Sequence, residues 1–323
     1  MKSFWQRYGY WIKLAVSVVL LVLVVWKVNL HTVGDALTRL PWWYYPLGLA
    51  INLILLTIST LRWWVLVRNV PFYDLLRVNL VSLYVMFLIP SSISNDGVRL
   101  ASIRSKPGGI SGGLGPIVVD KIFGVGIALA LFGISTVLIE SQARLPQNFL
   151  ALGQIAIVAG IVTFGLCSKR VIGIFLEPSA KWLSQLLSKR FSSAEVIISG
   201  IVQGLYSTIE RKSQLVLNVA LAVVAQLLIG VSYLTAAHAF MLNLRYIDCL
   251  WLSTTIQIVM LVPIGFAGLG VKDFSLIALM VLLGCRPEDG LAVSMSVYPM
   301  TLALALLGWW SSIGNTRVRG AAN

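Results

Sequence analysis

Acidic residues are scarce in this chain. Its 323 residues hold 12 Asp or Glu against 25 Lys or Arg, and only 11% are charged. Soluble domains carry roughly 25% charged residues, so a water-exposed globular domain is excluded. Hydrophobic residues make up 58% of the chain, and mean hydropathy is +0.88. Cys167, Cys249 and Cys285 stand isolated, and His31 and His238 lie far apart, so no metal-ligand spacing exists. No Ser/His/Asp set, HExxH or paired-carboxylate set is recognisable. The glycine-rich stretch Pro107–Pro116 lacks Gly-Lys-Ser/Thr, so it is not a nucleotide P-loop and reads as a flexible connection. No metal, no cofactor and no enzyme activity are therefore expected. The net charge of +13 fits cytoplasmic loops obeying the positive-inside rule rather than a nucleic-acid binder.

Long apolar runs recur instead. A full crossing needs about 20 apolar residues. Trp11–Val28, Trp42–Val67, Ile117–Ile139, Phe149–Cys167, Leu215–Leu242 and Leu291–Trp310 qualify. The first has no small-residue cleavage site and reads as a retained span. Two stretches are shorter, Val78–Pro90 and Cys249–Pro263, each followed by a second apolar piece, Ile93–Ile103 and Phe274–Leu283. Each runs into one of two similar segments whose prolines, Pro90 and Pro263, are 173 residues apart. The first reads Leu-Ile-Pro90-Ser-Ser-Ile-Ser-Asn95-Asp96-Gly97-Val-Arg99. The second reads Leu-Val-Pro263-Ile-Gly-Phe-Ala-Gly268-Leu-Gly270-Val-Lys272-Asp273. Both place Gly-Val and a cation at the same distance after proline, with an acid close by. Paired interruptions of this kind point to a transport site near the bilayer midplane.

Charge selects the topology. The stretch Lys169–Lys212 carries seven Lys or Arg and three Glu, and Arg99–Lys106 is basic without an acid. All basic regions, with both termini, fall on the cytoplasmic side if the two short stretches enter and return. The remaining connections, Lys27–Pro41, Glu140–Gln147, Asn243–Asp248 and Arg286–Asp289, hold five cations and five acids together. The expected fold is an all-α polytopic membrane bundle, one integral domain over residues 1–323. It has six crossings plus two re-entrant hairpins entering from opposite faces, inverted-repeat-like; eight crossings are the alternative. Residues 169–212 read as a cytoplasmic amphipathic helical connection, lying on the membrane surface or packed on the bundle. Tryptophans at 11, 26, 42, 43, 63, 64, 251, 309 and 310 read as interface anchors.

Charges inside apolar runs mark a candidate site. Arg62 lies within the second run, where it either snorkels or meets a phosphate. Asp120 and Lys121 are adjacent, about 100° apart on a helix, so each needs another partner, with Arg99 or Arg62 available to Asp120. Asn95, Asp96, Arg99, Lys272 and Asp273 complete the candidate head-group site. Pro90, Gly97, Pro263, Gly268 and Gly270 are candidate hinges, glycine because it permits unusual backbone angles.

These features resemble the transmembrane region of lysylphosphatidylglycerol synthases, a flippase-like family of bacterial and archaeal membrane proteins. The resemblance rests on Arg62-Trp63, on Pro90 through Arg99, on Asp120-Lys121-Ile-Phe-Gly124 and on Pro263 through Asp273. The family usually has Gly-Gly-Asp then Arg, an Asp-Arg pair and Gly-Leu-Gly-Val-Arg-Glu. Here Asn95 replaces a glycine, Lys121 an arginine, and Lys272-Asp273 the Arg-Glu pair, so charge signs are kept while bidentate phosphate geometry weakens. The chain stops thirteen residues after Trp310, which leads us to expect a stand-alone member without the aminoacylating domain. The resemblance implies translocation of a phosphate-bearing lipid or lipid-linked glycan across a bacterial or archaeal cytoplasmic membrane. The alternative is a scaffold or regulator of a biosynthetic membrane enzyme.

Overall fold

The computed structural model describes residues 30–67, 70–88, 94–103, 109–140, 148–166, 178–179, 202, 206–261 and 270–320. The expected first span, most of the 169–212 connection, Pro90, Pro263 and Gly268 lie outside the described residues. Those described form helices and no strand. In hydrocarbon this is the economical solution, because a helix satisfies its own backbone groups.

A short helix α1 (Leu30–Thr38) leads into α2 (Tyr44–Val67). Two short helices follow, α3 (Phe72–Leu88) and α4 (Ser94–Ile103), and then the long α5 (Gly109–Glu140). Helix α6 (Asn148–Leu166) returns. The pattern then repeats with α7 (Lys212–Ala239), short α8 (Tyr246–Val259) and α9 (Val271–Leu282), and long α10 (Pro287–Gly320). Among the described residues, four helices have the length and apolarity to cross a membrane: α2, the 115–139 part of α5, α7 and the 287–312 part of α10. The chain is thus a polytopic helical membrane bundle.

Packing follows the repeat. If α2–α5 are matched in order with α7–α10, almost every contact in one half has its counterpart. Helix α2 packs on α7, α5 on α8 and α3 on α10. Each short helix also packs on its neighbours in the same way, α4 between α3 and α5, α9 between α8 and α10. Among the described helices, α6 has no such counterpart. It is fastened to α5 along glycines: a Cβ at Gly160 would stand 2.8 Å from the Gly126 carbonyl oxygen and 2.9 Å from the Ala130 nitrogen. Such small-residue seams bring membrane helices together by van der Waals contact.

Three sequence expectations change. The segment Gly109–Pro116 is not a flexible connection but the first turns of α5. Glycine's poor helix propensity is a weak prior that tertiary context overrides here. Trp63 and Trp251 are not interface anchors; both are fully buried, and Trp251 Nε1 donates to Thr136 Oγ1 at 3.1 Å. Trp42 and Trp310 are the most exposed of the described tryptophans, at 85% and 74%, and Trp64 and Trp309 are exposed as well. Finally, Arg245 and Arg286 are more than loop charges. Each side chain donates twice to the Asp three residues on, Asp248 and Asp289, which also accepts the arginine's own backbone N–H. The acids close the N-termini of α8 and α10, where negative charge is favoured. Beside them, Cys285 has its thiol pushed up, first by burial and then by Asp289 and Asp248, which keeps it protonated at neutral pH.

Candidate functional site

Five charged side chains from three helices converge on one cleft of about 240 Å³. Arg62 of α2, Asp96 and Arg99 of α4, and Asp120 and Lys121 of α5 line it, with Ser59 and Gly124. Gln257, Ile258 and Leu261 close it from the end of α8. Leu261 opens the second repeated segment, so that segment begins against the charges of the first.

The adjacent pair Asp120-Lys121 resolves as helix geometry requires, each residue taking a different partner. Arg62 Nη2 meets Asp120 Oδ1 at 2.7 Å, with both side chains 15% exposed. The same nitrogen donates to the Asp120 carbonyl oxygen at 3.1 Å. Asn218 of α7 ties the pair down, its Nδ2 donating to Asp120 Oδ1 and to the Arg62 carbonyl oxygen, both at 3.1 Å. Gly124 leaves room here, since a Cβ would stand 3.4 Å from Arg62 Nη2. Lys121 turns the other way and meets Asp96 at 2.8 Å. That pair is wetter, at 56% and 25% exposure. Exposed pairs contribute little, whereas a buried one resists loss of either partner.

Arg99 is held differently. It is 8% exposed, and its described partners are neutral. Its Nε donates to Asn79 Oδ1 at 2.8 Å and its Nη2 to Ser59 Oγ at 3.1 Å. Its guanidinium carbon sits 5.3 Å from the centre of the Trp63 ring, a cation–π contact. Asn79 is 1% exposed, and its own Nδ2 donates to Thr60 Oγ1 at 2.8 Å. The Thr60 hydroxyl donates to the Leu56 carbonyl oxygen at 2.8 Å. The cleft therefore gathers three cations and two carboxylates, an excess of one positive charge that resides at Arg99. Close by, Arg62 Nε, Trp63 Nε1 and Asn218 Oδ1 are buried without a hydrogen-bond partner among the described residues.

Lys272 and Asp273 are not among the residues lining this cleft. Gly270 takes φ 79° at the N-cap of α9, a backbone state that favours glycine, and donates its N–H to Asp273 Oδ2 at 3.1 Å. Tyr298 of α10 donates its hydroxyl to the same carboxylate at 3.0 Å from each oxygen, and the Ser294 hydroxyl bonds it too. Asp273 is 1% exposed. The Lys272 ammonium lies 5.9 Å from the centre of the Tyr298 ring. Gly97 is inside α4 without positive φ, so it does not act as a break there. Asn95 occupies the first turn of α4. The sequence reading missed Ser59, Asn79, Asn218 and Gln257. The available signal was a polar residue inside an apolar run. Among the described residues, no group of three His, Cys, Asp or Glu side chains assembles to hold a metal.

Along their helices, Arg62 lies five residues before the C-terminus of α2, Asn218 six after the start of α7, and Asp120 eleven after the start of α5.

Comparison with the curated proteins gives no match, and neither does comparison with solved structures. The family model for the lysylphosphatidylglycerol synthase transmembrane region matches residues 10–308, nearly the whole chain, including every residue of the cleft. The chain belongs to the lysylphosphatidylglycerol synthase transmembrane-region family.

Proposed function

We propose that this protein moves a phosphate-bearing lipid or lipid-linked glycan between leaflets, holding the head group in the charged cleft. One observation carries the reading: a net-positive cleft built into apolar helices, with a buried arginine whose charge no direct ion pair consumes among the described residues. Two of its five donors are used by described partners, and the fork geometry suits phosphate oxygens. Lys121, half-exposed beside it, reaches the same head group by exchanging Asp96 for phosphate. Charge inside a membrane is retained where it lines a substrate path. No nucleotide motif is present in the sequence, so movement is passive or ion-coupled. The test is leaflet exchange of fluorescent phospholipids in proteoliposomes. Exchange should be present in the wild type and lost in Arg99→Gln at unchanged melting temperature. Wild-type rates equal to empty liposomes would favour the scaffold reading instead.

We further propose that α3–α4 and α8–α9 are re-entrant and enter from opposite faces. Their lengths, 17, 10, 14 and 12 residues, correspond to about 26, 15, 21 and 18 Å, short of a hydrocarbon core of about 30 Å. In a variant lacking native cysteines, Tyr73→Cys, Ala101→Cys and Ser213→Cys should react only from the cytoplasmic side, and Met241→Cys only from outside. Reaction of Ala101→Cys from outside would mean that α3 crosses.

A further inference from the structure

The head-group reading leaves one question open: which head groups the cleft prefers. We propose that Asn79 sets that preference, selecting anionic head groups by positioning Arg99 with a neutral acceptor. This rests on the reading of the cleft as a head-group site.

The geometry is specific. Asn79 lies on α3, outside the residues that line the cleft, and touches Arg99 from behind. Its amide orientation is fixed by chemistry. The Nδ2 donor faces Thr60 Oγ1, whose proton is committed to the Leu56 carbonyl oxygen, so Oδ1 is the face left for Arg99 Nε. A buried, fully satisfied relay of this kind holds a side chain in one orientation. The same position occupied by a carboxylate would make Asn79, Asp96 and Asp120 three acids against three cations. The cleft would then be neutral, and Arg99 would already be paired. An amide differs from a carboxylate here by one atom and one full charge. The amide fixes the guanidinium and leaves its charge for the ligand, an anionic phosphate such as that of a monoanionic lipid head group.

The test is titration of detergent-solubilised protein with phosphatidylglycerol and phosphatidylcholine of identical acyl chains, read as thermal stabilisation. Wild type should prefer the anionic lipid roughly tenfold, the equivalent of one good charge-assisted contact. Asn79→Asp should reduce the preference to within about twofold, read on protein whose lipid-free melting transition shows that it is folded. Asn79→Ala, which removes the acceptor without adding charge, should weaken binding while keeping the preference. A merely structural role would make the two variants alike, and that result would overturn the proposal. So would an undiminished preference in Asn79→Asp, or none in wild type. If Asn79→Asp does not fold, Ser59→Asp places a carboxylate at the other neutral partner and should abolish the preference equally. A protein that prefers anionic lipid through Asn79 yet exchanges no lipid between leaflets would sink translocation and leave this inference standing.

Discussion

The two halves share a scaffold and differ in what they do with charge. In each, an acid of the repeated segment is tied to a residue 25 positions further on, on the following long helix. In the first half Asp96 meets Lys121 through an ion pair that is open to water. In the second Asp273 meets the Tyr298 hydroxyl and is sealed at 1% exposure. The first half thus has a carboxylate that can change partners, and the second has one whose three donors, Gly270 N–H, Ser294 and Tyr298, already complete it. Both motif cations lie over an aromatic ring, Arg99 over Trp63 and Lys272 over Tyr298. Similar packing does not give the two halves similar sites; the first holds an open electrostatic cleft and the second a carboxylate closed into a helix cap.

The sharpest way to break this comparison is Arg62→Ala. It strands Asp120 in a largely buried place and should cost about 3–5 kcal/mol of stability. Thermal denaturation in detergent reads it, and a melting temperature near wild type would mean that water screens the pair. Asp273→Ala removes no ion pair but leaves three donors without their acceptor. A loss of about 2–3 kcal/mol is expected, with lipid exchange retained in proportion to folded protein. Selective loss of exchange at full stability would place Asp273 in the transport machinery and erase the distinction between the halves. Gly160→Ala probes α6, the helix with no counterpart, where two backbones must part; about 1–3 kcal/mol is expected. Lys121→Gln should be smallest in stability, under about 1 kcal/mol because the pair is exposed. It should nevertheless slow lipid exchange, and unchanged exchange would remove Lys121 from the site.

Much of this was legible in the sequence because membranes make polar residues conspicuous. Arg62, Asp96, Arg99, Asp120 and Lys121 stood out as charges within or beside apolar runs, and the structure brings all five to one cleft. That Asp120 and Lys121 need separate partners followed from the helical turn alone. Their choice of partner did not, since it depends on where α2 and α4 pass α5. Lys272 carried the same sequence signature as Arg99 yet lies elsewhere, because a shared pattern fixes the local helix start and leaves open what the neighbouring helix supplies. Asn79 and Asn218 were overlooked for a different reason. A single amide in an apolar run is a weak signal with no charge to balance, and its role depends on a relay of contacts 19 and 98 positions apart. The α5 start was misjudged because glycine content measures local propensity, which tertiary context overrides.

The wall of the cleft bears on time as well as space. Gln257 and Ile258 at the end of α8, with Leu261 just beyond it, lie against the charges of the first half. Under the proposed translocation, a head group docked there would leave only as fast as this wall moves aside. The waiting time between leaflets would then be set by how often the end of α8 moves, and chemistry at the head group would set only which lipids are waiting.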